Sequence, residues 1–547
     1  MLPTRQFEAD KASGVEDDSA VCAENDETIE IEDRDTEEVG FFEFPVVGIG
    51  ASAGGLSAFE AVFSEMPSDT EPGMAFVLVQ HLAPDHDSIL TELIRRYTRM
   101  KVFEVEDGMP VTPNCAYIIP PNRDMVFLKG LLRLREPSAP RGHRLPIDLF
   151  FTSLAQDRGE RAIGIVLSGT GSDGTLGVKA IKGAGGMVMA QSPDSTEHDG
   201  MPRSAIATGL VDYELSPSEM PAQLIAYVDQ FGTAFLPTTS ISTSTDKNKN
   251  GLQNVFGLLR DRTGHDFSQY KPNTIHRRIE RRMAIHQIKT MDAYVKFLQQ
   301  RSEEVEALFY DLLIGVTRFF RDQEAFRAIE AEVVPQLFSG KTPETAIRVW
   351  SLGCSTGEEA YSLAILLAER QETMKQDVPI QVFGTDIDNR AISIARAGVY
   401  PANIAADISS ERLDRFFVPE STDAHGKPSA YRVRKRIRDM LIFSEQSVIK
   451  DPPFSRLDLI CCRNLLIYMD ADLQKRIIPL FHYALKPDGF LFLGLSETVG
   501  ELRDLFATLD SQAKVYQRKE EAYGARRLVQ GGFLASMMPV GDIVRPK

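Results

Sequence analysis

Twice along the 547-residue chain a short apolar run ends in a glycine-rich turn and passes at once into a helical stretch. The first is VVGIGASAGGLSAFEAVF at 46–63, the second IRVWSLGCSTGEEAYSLAILLAER at 347–370. A buried strand followed directly by a helix is the opening unit of a parallel sheet, because neighbouring parallel strands need a crossover between them. The first unit is continued by strand AFVLVQ, helix SILTELIRRYTRM, strand AIGIVLSG, helix TLGVKAIKGAG and strand GMVMAQ. The second is continued by strands IQVFGTDID and RLDLICC, with GFLFLGLSE and KVYQRK closing the sheet and the polar stretch 397–445 expected to carry a small insertion. Between the two units only helical spacing is found. The expected fold class is therefore α/β, with two doubly wound, mainly parallel-sheet domains and a small all-helical subdomain between them. The limits read as an acidic tail at 1–44, a first α/β domain at 45–232, a Ser- and Thr-rich flexible linker at 233–250, a helical subdomain at 251–325, a second α/β domain at 326–519 and a tail at 520–547.

Composition narrows the setting. No apolar run approaches the roughly 18–20 residues that a membrane span requires, and no secretory signal is visible, so a cytoplasmic chain without membrane insertion is expected. The five cysteines include no C-x-x-C pair, which indicates neither a metal site nor a disulfide framework. Of the net charge of −17, most lies in residues 1–44, with 15 acidic against three basic side chains. That segment reads as disordered, either solubilising or a partner-binding arm. In so acidic a chain, TIHRRIERRMAIH at 274–286 stands out. Arg277/Arg281 and Arg278/Arg282 are spaced four apart beside an apolar stripe of Ile275, Ile279 and Met283. They form either a solvated face or a docking face for an acidic partner protein, which the acidic tail would mask by charge. Nothing points to nucleic acid.

The first glycine loop admits two readings. Gly48-Ile-Gly50-Ala-Ser-Ala53 is a dinucleotide fingerprint, while Gly50-Ala-Ser52-Ala-Gly54 is a nucleophile elbow. A dinucleotide site needs a carboxylate at the end of the second strand; here that strand ends in Gln80-His81. An imidazole at that point suits a hydrolase instead. Asp173, in the glycine-rich turn after AIGIVLSG, supplies the carboxylate that fixes its tautomer. Strand ends of an open parallel sheet converge on one crevice, so Ser52, His81 and Asp173 are expected to meet there. His86 competes with His81, His143 and His198 are loop residues, and Ser52 has an alternative role as a helix N-cap.

VVGIGASAGGL, VLVQHLAPDHDS, EDGMPVTPNCAYIIPP, SGTGSDGTLGVKAIKGAGG and SPDSTEHDGMPRSAI resemble, in order and spacing, the catalytic domain of the chemotaxis receptor methylesterases over about 45–230. The resemblance implies Ser52 as nucleophile, His81 as general base, Asp173 as its orienter, and a glutamyl methyl ester on a receptor as substrate, with deamidation of receptor glutamines as a further activity of the family. Family members commonly carry a phosphate-receiver domain ahead of this one; residues 1–44 do not read as such a domain. HRLPID at 143–148 departs from the family's usual HRPSVD-like form.

At the second loop the following strand does end in acid, with Asp386 and Asp388 in VFGTDID. A glycine turn plus a carboxylate for ribose hydroxyls describes a nucleoside cofactor. Glu358 and Glu359 at the helix start would repel a pyrophosphate but tolerate a sulfonium, which points to S-adenosylmethionine. GVTRFFRD, SLGCSTGEEAYS, FGTDIDNRAISIARAGVY, DLICCRNLLIYM and LKPDGFLFLGLSE resemble the chemotaxis receptor glutamate methyltransferases over about 251–519. That resemblance places cofactor contacts at Thr317, Arg321, Glu359, Asp386, Ser447, Arg463 and Asn464. Gly315 and Ser447 stand where the family often has asparagine. Because a glutamate is ionised at neutral pH, transfer asks for alignment rather than acid–base chemistry. Arg321 and Tyr468 are the candidates to orient the substrate carboxylate, and Arg277, Arg278, Arg281 and Arg282 to dock a chemoreceptor or other sensor protein; Arg321 reads alternatively as a helix-end ion pair. A rival reading is a receptor-binding scaffold without turnover.

Overall fold

The computed structural model describes residues 44–67, 71–80, 89–137, 144–232, 245–375, 377–422 and 428–520. The expected tails, most of the linker, His81, His86 and His143 lie outside the described residues.

Both glycine-rich units open parallel sheets. The first sheet runs Tyr213–Leu215, Met187–Gln191, Ala162–Val166, Val46–Ala51, Ala75–Gln80, Cys115–Ile118 and Lys101–Glu104, with every pairing parallel. Val46–Ala51 is buried along its whole length, as expected for a strand covered on both faces. Helix Pro146–Arg158 lies against its glycines: side chains at Gly48 and Gly50 would come within 2.9 Å of Phe151 and 2.4 Å of Ile147. These glycines let a helix sit close on the sheet.

Four helices follow, Thr245–Thr263, Pro272–Ile285, Met291–Gln300 and Ser302–Leu312. Their core joins Val255, Leu259, Ile275, Ile279, Tyr294 and Leu308. The first begins inside the expected linker, so residues 245–250 are its opening turns rather than loose chain. The second sheet runs Leu441–Glu445, Ile380–Asp386, Ile347–Leu352, Leu457–Cys462, Leu485–Leu493, Val515–Arg518 and Phe506–Asp510. Its first five strands are parallel, and the last two pair antiparallel at one edge. The small insertion expected within 397–445 is present. It comprises the antiparallel strands Val399–Pro401, Phe417–Thr422 and Pro428–Val433, whereas Leu441–Glu445 belongs to the main sheet.

Candidate functional site

The first site forms where the strand order reverses. Val46–Ala51 has Ala75–Gln80 on one side and Ala162–Val166 on the other, and such a switch point opens a crevice at the carboxyl ends of the strands. Ser52 follows Val46–Ala51 directly, and helix Gly55–Ser64 starts three residues later. Gly54 turns the chain at φ 75°, a conformation that favours glycine. The turn after Ala162–Val166 packs onto this elbow: the Ser52 N–H donates to the Ser168 carbonyl at 2.9 Å. A side chain at Gly169 would lie 2.9 Å from the Ser52 Cβ, so only glycine admits the approach.

Asp173 is buried in the same turn. Its carboxylate accepts from the N–H groups of Ile147 at 3.1 Å, Asp148 at 2.9 Å and Gly174 at 2.9 Å. The first two belong to the opening turn of Pro146–Arg158, where backbone donors lack helical partners and favour negative charge. Three fixed donors set the orientation of the carboxylate. Beside it, burial first and the charge of Asp173 second push the Asp148 carboxyl well above the usual range. Gln80, which pairs with Ala51, is the last described residue ahead of His81. The exposed loop residue His198 sits beside the elbow, its ring 3.2 Å from where a Gly54 side chain would begin.

The second site is a cavity lined by Gly315, Gly353, Asp386, Ser447, Asn464 and Tyr468, among others. Gly353 turns at φ 62°, and Asn464 adopts φ 57°, which asparagine tolerates better than most residues. Asp386 ends Ile380–Asp386 and accepts from the N–H groups of Ser355 at 2.8 Å and Asp388 at 2.9 Å. Burial pushes its carboxyl up to about 6. Among the described residues no Lys or Arg lines the cavity, while Asp386 and Asp388 do. Such a donor set suits a cationic nucleoside and repels a pyrophosphate.

The other candidates stand behind this cavity. Glu359 accepts from Ser351 Oγ at 2.9 Å and Cys461 Sγ at 3.0 Å, and pairs with Arg463 at 3.4 Å. The fully buried Arg463 also bonds Asp322 at 2.6 Å and the Arg321 carbonyl at 3.0 Å, its guanidinium against Phe326 and Phe492. Arg321 donates to the Val316 carbonyl at 2.7 Å. Thr317 lies away from the cavity, in a cleft shared with Thr175 and Lys179. Two contributors escaped the sequence reading. Buried Glu497 gathers the N–H groups of Asn464 at 2.9 Å, Leu465 at 2.9 Å and Ile467 at 3.2 Å, holding the turn that presents Asn464 and Tyr468. Tyr270, from the helical subdomain, lines the cavity too. Glu497, four residues past the strand that GFLFLGLSE contributes, carries no spacing signal, and Tyr270 is distant in sequence.

The arginine-rich helix Pro272–Ile285 corrects an expectation. Arg278, Arg281 and Arg282 do not present a docking face, because their acidic and carbonyl partners lie within the chain. Arg281 is 1% exposed and pairs with Asp212 of the first α/β domain and with Asp311 at 2.5 Å. Lys182 joins both carboxylates at 2.6 and 2.9 Å. Arg278 donates to the carbonyls of Lys182 at 2.9 Å and Gly183 at 3.0 Å. Arg282 pairs with Glu304 at 2.5 Å, as does His286 at 2.6 Å. Burial alone would raise the Glu304 carboxyl, but hydrogen bonds from His286 and Arg282 hold it down at about 2. Only Arg277 remains exposed, 3.2 Å from Glu160. Arg278 and Arg281, buried, and Arg282, held by Glu304, are thus closed to masking by an acidic tail as well.

Comparison with known proteins matches three consecutive stretches of the chain. Residues 47–224 match the family of the CheB methylesterase, 250–313 the all-alpha domain of the CheR methyltransferase, and 315–515 its SAM binding domain. An uncharacterized 104.1 kDa protein of Rhodobacter capsulatus is 37% identical over 78% of this chain, which spans 46% of that relative's length. The chemotaxis protein methyltransferase of Salmonella typhimurium is 31% identical over 46% of this chain and 84% of its own. Among solved structures, the CheB methylesterase catalytic domain of Thermotoga maritima is 28% identical, covering 33% of this chain and 97% of its own, with a TM-score of 0.31.

Proposed function

Because the chain belongs to the CheB methylesterase and CheR methyltransferase families, joined in one polypeptide, we propose that it both places and removes methyl esters on protein glutamates. The protein modified is a chemoreceptor or a chemoreceptor-like sensor, reached from the cytoplasm, and the two activities serve adaptation in chemotaxis signalling. No helix among the described residues is long and apolar enough to cross a membrane. One observation carries the reading: a serine elbow with a backbone-held aspartate, and a carboxylate-lined cavity without basic side chains, occur in the same chain.

In the first site Ser52 Oγ attacks the ester carbonyl while His81 takes its proton and Asp173 holds the imidazole. Methanol leaves with that proton, and water then frees the glutamate. In the second, Asp386 would accept hydrogen bonds from the ribose hydroxyls, and Asn464 and Ser447 would frame the nucleoside. Bound there, S-adenosylmethionine supplies a methyl group activated by its sulfonium. Arg321 ties the loop at Val316, and Tyr468 faces the substrate carboxylate. Glu359 and Arg463 position that loop from behind. Identification of glutamyl methyl esters by mass spectrometry, after incubation with chemoreceptor-bearing membranes, tests the assignment. Modification of other residue types counts against it.

The cofactor role of Asp386 has a direct consequence. Asp386→Ala weakens S-adenosylmethionine binding by roughly 1.5–3 kcal/mol, the scale for hydrogen bonds to a charged group. With its carboxyl raised to about 6, the acceptor is mostly ionised at neutral pH and is lost as pH falls through about 6. Affinity is therefore expected to drop about tenfold from pH 7 to pH 5 in the parent and far less in the variant. Calorimetry giving parallel pH curves for the two would remove Asp386 from the site.

A further inference from the structure

The structure assigns the esterase unit a part in the methyltransferase site: helix Thr175–Gly183 buttresses the cofactor loop 314–318 through a direct seat of Gly183 on Val316. This rests on reading the adjoining cavity as the S-adenosylmethionine site. Gly183 closes a helix that begins two residues after Asp173. It is absent from the residues of positive φ, so no left-handed turn demands glycine there, and alanine would favour the helix. Space demands it instead. A side chain at Gly183 would begin 2.0 Å from Val316 Cγ2 and 3.1 Å from Val316 Cβ.

The loop has no regular backbone structure over 314–318, so its shape depends on what touches it. On the cavity side, Ile314 and Gly315 form part of the wall, and Ser355 Oγ donates to the Gly315 carbonyl at 3.4 Å. Arg321 holds the Val316 carbonyl. On the opposite side stands the esterase helix. Arg278 caps that helix through the carbonyls of Lys182 and Gly183, and Arg281 reaches the Gly186 carbonyl at 3.0 Å. Further along, Lys179 lies 3.9 Å from Glu358, the first residue of helix Glu358–Met374. Loop residues Thr317 and Arg318 share a cleft with Thr175 and Lys179. Gly183 is thus a positioning residue for methyl transfer supplied by the other enzyme unit.

The test is S-adenosylmethionine binding by calorimetry on the full chain. Gly183→Val is expected to weaken binding at least about tenfold, because overpacking displaces Val316 and the loop with it. Gly183→Ala should weaken it less. Combining Gly183→Ala with Val316→Ala, which removes the atom in the way, should restore binding to within about threefold of Val316→Ala alone. Gly257→Ala, a helical glycine with open space around it, serves as control. A Gly183→Val chain that melts like the parent and binds with parental affinity overturns the inference. Should that variant fail to fold, absence of rescue in the Ala/Ala double variant overturns it equally. Failure of the parent to bind S-adenosylmethionine would instead refute the reading of the cavity.

Discussion

Ser52→Ala is expected to abolish methanol release from a glutamyl methyl ester, by about 10⁴–10⁶-fold, while S-adenosylmethionine-dependent methylation stays within about twofold of the parent. The separation follows from architecture. Ser52 lies at the switch point of the first sheet, and the cavity is walled by the second sheet and the helical subdomain. Loss of one hydroxyl at the elbow leaves the backbone bond from Ser52 to Ser168 intact, so the fold has no reason to respond. An initial-rate assay of both activities on one preparation reads the result. Hydrolysis near the parental rate in the variant would show that another group attacks the ester.

The second large effect concerns stability. Arg281→Ala removes a cation shared by Asp212 and Asp311, leaving Lys182 as the cation paired with both buried carboxylates. Breaking a buried ion pair from one side costs ~3–5 kcal/mol. Arg277→Ala, four residues earlier in the same helix, deletes an exposed pair with Glu160 and should cost less than ~1 kcal/mol. Denaturant midpoints of the two variants measure the contrast, and equal midpoints would contradict the buried network. The pH dependence has a definite sign. Burial would raise the Asp311 carboxyl, yet Arg281 and Lys182 hold it below the usual range, as Arg282 and His286 do for Glu304. Their contribution is therefore present above about pH 4 and lost as pH falls further.

The reading of Arg278, Arg281 and Arg282 shows where sequence patterns stop. Four-residue spacing identified a basic helix face, but an acidic partner in the chain itself and one on a receptor leave the same trace. Asp212 and Asp311 stand 69 and 30 residues from Arg281, with nothing in their local sequence to mark them as its counter-ions. The sheets were legible because a buried parallel strand must be apolar throughout and must end in a turn, as VVGIG and IRVWSLG do. The place of Asp386 was legible for the same reason, as a polar residue at the end of an apolar run, and that of Asp173 as the acid in the glycine-rich turn that follows one. Glu497 was not, since a carboxylate that collects backbone N–H groups has no partner side chain to betray it. Gly183 was hidden too: a glycine kept for close approach looks like any helix end until the neighbouring Val316 is seen.

The central claim is that one chain writes and erases the same mark. It is tested most directly by following a tritiated methyl group from S-adenosylmethionine into a chemoreceptor cytoplasmic fragment and out again. With the parent chain, the label should enter glutamates as a base-labile ester and, after a chase with unlabelled cofactor, leave as methanol. With Ser52→Ala it should enter equally and stay. Label that enters a base-stable linkage, or that leaves at the same rate with both chains, would contradict the account.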